Sequence, residues 1–233
     1  DIEEMDGEIA NVLPSAAVEA SRQAILKLVD VVRLNVSQTL DFFQNKGNAE
    51  DKETIEKTEA IANRFDQKIT AYLIRLSKKP NLTRQDTDDV RYHLDAVKNF
   101  ERVGDLDVNL AEFFLMVNEK KEAFTEQATK EIEAMFMKVL DMFDMAAEVF
   151  VTRSEEQYSQ LKSMEKDLDD MEINYRHAHF NRMSGGICVS PVAESVFCDI
   201  LGTLERMGDH CCNVGMGAVT GLTSDLSEDE VIA

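Results

Sequence analysis

Residues 100–111 read FERVGDLDVNLA and residues 204–215 read LERMGDHCCNVG, so Glu-Arg-x-Gly-Asp-x-x-x-Asn occurs twice in this chain of 233 residues. An aspartate six positions before each glutamate extends the repeat to D-x5-E-R-x-G-D-x3-N, from Asp95 to Asn109 and from Asp199 to Asn213. At about 100° per residue, Glu101, Asp105 and Asn109 climb one helix face a turn apart, as do Glu205, Asp209 and Asn213. Carboxylates a turn apart repel one another, and partial burial raises that cost unless a positive charge neutralises them. Two neutralisers are open. One is Arg102 or Arg206, beside each glutamate, or a basic residue from across a bundle. The other is a metal ion, because carboxylates from facing helices hold iron or manganese in helical bundles and suit magnesium too. Gly104 and Gly208, between the carboxylates, cost helix propensity and let a neighbouring helix come close.

The elements that position these ladders are helices. There are only three prolines and ten glycines, and strand-type alternation of β-branched residues is nearly absent. The spacing predicts helices at 15–45, 50–78, 83–118, 121–153, 154–184 and 191–218. Lys46-Gly47-Asn48 ends the first through a left-handed residue, and Pro80 ends the second. Thr83 with Asp86 caps the third, and Ser154 with Gln157 fits a capping box that opens the fifth. Gly185-Gly186 stops the fifth, and Ser190-Pro191 opens the sixth. Each ladder falls on the third helix of a three-helix set. The expected fold is therefore all-α, two pseudo-symmetric three-helix bundles made by an internal repeat. The expected division is a connector at 1–14, a first repeat at 15–118, a second at 119–219 and an acidic disordered tail at 220–233.

Composition narrows the function. Forty-five acidic residues against 25 basic ones leave a formal net charge of -20, and no basic stripe stands out, so nucleic acid and anionic lipid are repelled. No apolar run reaches the roughly 18 residues that span a bilayer, so this segment is not expected to insert. Cys188, Cys198, Cys211 and Cys212 contain no C-x-x-C pair and read as free thiols of a reducing cytoplasm. Among the histidines, His210 neighbours Asp209 but points about 100° away from it and reads as a surface or packing residue. His93, His177 and His179 lack a partner at ligand spacing. Met135, Met137, Met142 and Met145 read as adaptable core.

With E-R-x-G-D on the third helix of both repeats, the chain resembles the PhoU family, whose members act in phosphate uptake and its regulation in bacteria and archaea. Some members bind multinuclear iron or zinc clusters through an E/D-x-x-x-D motif. By that resemblance the metal ligands here are Glu101, Asp105, Glu205 and Asp209, with Asp30 in LKLVD and Asp141 in MKVLD as further ligands from the first helix of each repeat. A stretch that precedes the motif in standalone members is replaced here by TDDVRYH and ICVSPVAES. The segment MDGEIANVLPSAAVEASRQAI resembles the connector that follows the membrane part of bacterial sodium/phosphate cotransporters with a PhoU-like C-terminal domain. Together with the start at Asp1, this implies a cytosolic tail excised from a transporter, one that regulates the transporter's membrane domain in cis within a homo-oligomer. The alternative is a free-standing PhoU-type adaptor that serves a separate transporter and sensor kinase. A metal-dependent oxidase or hydrolase is a third reading. It would need paired E-x-x-H motifs, and the nearest approach, Glu172 with His177, has the wrong spacing, so no enzyme is expected.

Overall fold

The computed structural model describes residues 13–187 and 190–220. Cys188, most of the expected connector and all but the first residue of the expected tail lie outside them. Among these residues there are six helices, in order α1 (Pro14–Asn45), α2 (Ala49–Ser77), α3 (Arg84–Glu119), α4 (Glu126–Thr152), α5 (Glu155–Ser184) and α6 (Pro191–Thr220). The fold is all-α, as expected, and the ladders lie on α3 and α6.

Local chemistry sets the boundaries. Asn48 and Thr83 form full capping boxes with Asp51 and Asp86. Ser154 accepts from the Gln157 amide at 3.3 Å, but the Gln157 side chain turns to Thr152 and Glu148 instead of closing the box. α1 ends with Lys46 in the left-handed region at φ 51°. Gly47 is required for a different reason: a Cβ there would run into the Phe42 ring. α4 starts five residues later than the spacing predicts. Lys121 takes φ 55°, which breaks the helical path, and Thr125 then caps α4 by accepting from the Ala128 amide at 3.2 Å. The amides that open α6, on Val192 and Ala193, donate to Glu122 Oε2 at 2.7 and 3.0 Å. A carboxylate from the inter-repeat loop thus satisfies a helix start that needs acceptors.

α1, α2 and α3 pack as one bundle and α4, α5 and α6 as the other, joined by an extensive α3–α6 seam and a smaller α1–α4 contact. Aromatic rings fill the join, with Phe100 5.5 Å from Phe143 and 6.1 Å from Phe150, both edge-on. Each such ring removed from water contributes about 2 kcal/mol. Tyr92 donates to the Val214 carbonyl at 3.3 Å, and Asn99 Oδ1 meets His210 Nδ1 at 3.0 Å. In the second bundle Arg182 forks onto buried Glu131 at 2.9 and 2.8 Å. Met135 and Met142 are fully buried, as expected of adaptable core, whereas Met137 is half-exposed.

Candidate metal centre

The two ladders have the same sequence pattern and different surroundings. In the second repeat, Glu205 and Asp209 on α6 face α5, where Asp169 stands opposite them. One carboxylate oxygen from each of the three lies within 4.8 Å of the others, and no other set of three possible ligands comes together among the described residues. Burial raises Glu205, Asp209 and Asp169 from their ordinary values; repulsion from Asp209 and Asp169 adds to it at Glu205, from Asp169 at Asp209, and from Asp170 and Glu172 at Asp169. Glu165, a turn before Asp169, is raised by burial and by the same neighbours. Among the described residues Arg206 forms no ion pair with them, and its charge only partly offsets the repulsion at Glu205. Its guanidinium folds back onto its own helix, donating to the Gly202 carbonyl at 3.2 Å and to Thr203 Oγ1 at 3.3 Å. Gly208 brings the helices together, because a Cβ there would strike Leu168 of α5.

The first repeat settles its charges with cations. Arg102 donates to Asp105 at 3.1 Å and lies 4.0 Å from Glu101. Lys98 pairs with the buried Asp66 on α2 at 2.7 Å. Burial and Asp105 raise Glu101. The helices correspond through the carboxylates facing each ladder: Glu59 neighbours Asp105 as Glu165 neighbours Asp209, and Asp66 neighbours Glu101 as Glu172 neighbours Glu205. Asp169 is four residues beyond Glu165, and the residue four beyond Glu59 is Asn63. An amide thus stands where the second repeat has its third carboxylate, and it is turned toward Glu59.

Of the two neutralisers considered from the sequence, the arginine is engaged in the first repeat and not in the second. Three hard oxygen donors from two helices, without an ion-paired cation among the described residues, fit a divalent or trivalent metal ion. Asp30 and Asp141 are exposed on α1 and α4 and do not join either ladder; Asp141 instead adds to the field around Arg33, whose fork binds Asp144 at 2.7 and 2.8 Å. The candidate ligand that sequence reasoning missed is Asp169. Its only local signal is its place on the α5 arc that faces α6. His210 is half-buried against Asn99, as a packing residue would be, and Cys198, Cys211 and Cys212 are free thiols.

The PhoU domain model matches residues 25–114 and 132–217, one stretch in each repeat. The chain is 31% identical over 128 residues to the phosphate-specific transport system accessory protein PhoU homolog 1 of Thermotoga maritima. That match covers 54% of this chain and 54% of the relative, so the chain spans about half the length of the curated relative it matches. The fold superposes on the phosphate transport system regulatory protein PhoU from Streptococcus pneumoniae with a TM-score of 0.80 at 20% identity, over 92% of this chain and 99% of that one. It superposes on PhoU from Pseudomonas aeruginosa with a TM-score of 0.79 at 18% identity, over 89% and 99%.

Proposed function

The chain belongs to the PhoU domain family, and from that premise we propose that it is a non-enzymatic regulator of phosphate transport, an adaptor working in the cytoplasm on a separate transporter. The observation that carries this reading is the family match across both repeats; the accessory role named for the Thermotoga maritima relative supports it. Among the described residues no helix is long and apolar enough to cross a membrane, which agrees with action on a membrane protein from outside the bilayer. The second reading is a tail that regulates its own transporter in cis, favoured by the residues 5–25 resemblance. Self-association into a homo-oligomer is compatible with either.

The regulatory site in this proposal is the α5/α6 centre, where Asp169, Glu205 and Asp209 hold a metal ion such as iron or zinc. When bound, the ion supplies the positive charge that the three carboxylates lack, and it ties α5 to α6. The first ladder plays a structural part because Arg102 already occupies it. The functional test is deletion in the native host, followed by phosphate uptake and a phosphate-starvation reporter. Deletion should misregulate both, and expression of residues 1–233 alone should restore them. Unchanged uptake and reporter would refute the regulatory reading. Restoration that required fusion to a membrane domain would favour the cis reading.

A further inference from the structure

Where α4 starts, α5 ends and α6 starts, the second bundle is not filled. A cavity of about 270 Å³ lies there, with Phe124, Phe197 and Ala193 on its apolar side and His179, Arg182 and Glu194 on its polar side. The correspondence of the repeats through Glu59–Glu165 and Glu101–Glu205 sets Leu73, Leu76 and Val90 against these three polar residues, and in the first bundle those side chains are buried core. Packing alone would be met by apolar residues in the second bundle too, so its polar set needs another account. His179 stacks on Phe197 at 4.5 Å, and the Arg182 guanidinium lies over the same ring at 5.4 Å, which makes one wall rigid. Burial, and then Arg182, hold His179 below its ordinary value, so the ring carries no charge at neutral pH.

The charges decide what the cavity takes. Both terminal nitrogens of Arg182 are engaged by Glu131, so that pair is neutral. The amides that open α6, the usual place for an anion, already donate to Glu122. Glu194 remains. It is half-buried, its Oε1 accepts the Ser190 amide at 3.1 Å, and no ion-paired cation meets it among the described residues. We propose that the cavity binds a small organic cation, an ammonium group on a flat apolar body. The body lies against Phe124 and Phe197, and the ammonium donates to Glu194. An apolar cavity of roughly 150 Å³ holds benzene, so this one has room for one or two fused rings and a short amine arm. The site shares no residue with the α5/α6 centre and goes beyond the regulatory reading.

The test uses the full chain with tryptamine as the probe. The chain has no tryptophan, so indole fluorescence reports the probe alone, and its anisotropy at moderate salt gives the affinity. The neutral isostere is 3-ethylindole, and an anionic one is indole-3-propionate. Wild type should bind tryptamine saturably with a Kd at or below about 1 mM. It should bind 3-ethylindole about fivefold or more weakly, and indole-3-propionate more weakly still. Glu194→Gln keeps an acceptor for the Ser190 amide and should bring tryptamine down to the level of 3-ethylindole. Ala193→Leu puts a larger side chain into the cavity and should abolish binding of both, with the helical circular dichroism retained; if that variant does not fold, Glu194→Gln decides alone. Tryptamine binding that survives in folded Ala193→Leu is adsorption to the acidic surface and overturns the proposal. So does an absence of saturable binding, an equal or better affinity of wild type for either isostere, or a Glu194→Gln variant that keeps the preference for tryptamine. The assay contains no metal, phosphate or transporter, so its failure leaves the regulatory reading standing.

Discussion

Asp107 lies two residues beyond Asp105 and is turned by about 200° from the ladder, into the core. It is fully buried between α1 and α3. Its Oδ2 accepts from Asn35 Nδ2 at 3.0 Å and from Thr39 Oγ1 at 2.6 Å, while its Oδ1 and Asn35 Oδ1 have no partner in the fold. Burial pushes the carboxyl up to about 7, and no ion-paired cation meets it among the described residues. Protonation gives the carboxyl a donor beside an amide oxygen that lacks one. Because the folded value lies above the unfolded one, the native state holds an extra proton between about pH 4 and pH 7. Stability from this group is full below that window, falls by about 1.4 kcal/mol per pH unit through it, and is flat above it. From pH 5 to pH 8 the loss is about 3 kcal/mol, or roughly 6–12 °C in melting temperature for a chain of this size. Asp107→Asn removes the titration and supplies an N–H where the acid supplied an O–H. Thermal melts followed by circular dichroism should show the variant gaining most of that interval over the wild type at pH 8 and much less at pH 5. Other raised carboxylates act in the same direction in both proteins and cancel in the comparison. Parallel pH profiles, or a variant weaker than wild type at pH 8, would refute the reasoning.

The two ladder glycines should respond oppositely to alanine. Gly208→Ala drives a Cβ into Leu168 and Met142 and should cost about 1–3 kcal/mol in urea titration. At Gly104 the nearest atom is Val32 Cγ2 at 3.7 Å, so Gly104→Ala should be neutral or stabilising by up to about 1 kcal/mol. Elemental analysis of protein purified without chelator should find metal in the wild type and in Asp105→Asn, little in Asp209→Asn, and more than wild type in Asn63→Asp combined with Arg102→Gln. Equal losses from Asp105→Asn and Asp209→Asn would mean that the repeats ligate alike. Glu131→Ala leaves Arg182, whose side chain is 11% exposed, as an uncompensated buried cation. It should destabilise by about 3–5 kcal/mol, measured by the same urea titration.

Helix existence and order were legible because the punctuation is local: Thr83, Ser154, Gly185 and Pro191 act on residues within a turn of themselves. α4 was harder to place, because Thr125 has no acidic residue at the reciprocal capping position and residues 121–125 carry the ordinary composition of a helix. The ladders could be read because duplication made Glu-x-x-x-Asp specific. Their difference could not, since it rests on which α5 or α2 residue faces them across space, and helix-to-helix register is a tertiary quantity. Asp169 versus Asn63 is visible only after that register is known. Asp107 was within reach: a wheel places it with Val103, Leu110 and Phe114, which are buried, and a carboxylate among them is a signal in itself.

The hydrogen bonds across the α3–α6 seam run in one sense only. Tyr92 reaches Val214 and Asn99 meets His210, but the residues related to Tyr92, Asn99 and His210 by the internal repeat are Val196, Thr203 and Leu106, and these cannot make the return bonds. A single repeat paired with an identical repeat would have used a self-complementary seam. This one has become a lock and key within one chain, so the α3 of one molecule has no equivalent partner in the α3 of another. That directionality opposes assemblies in which like repeats would pair, α3 against α3 or α6 against α6, and favours α3 against α6.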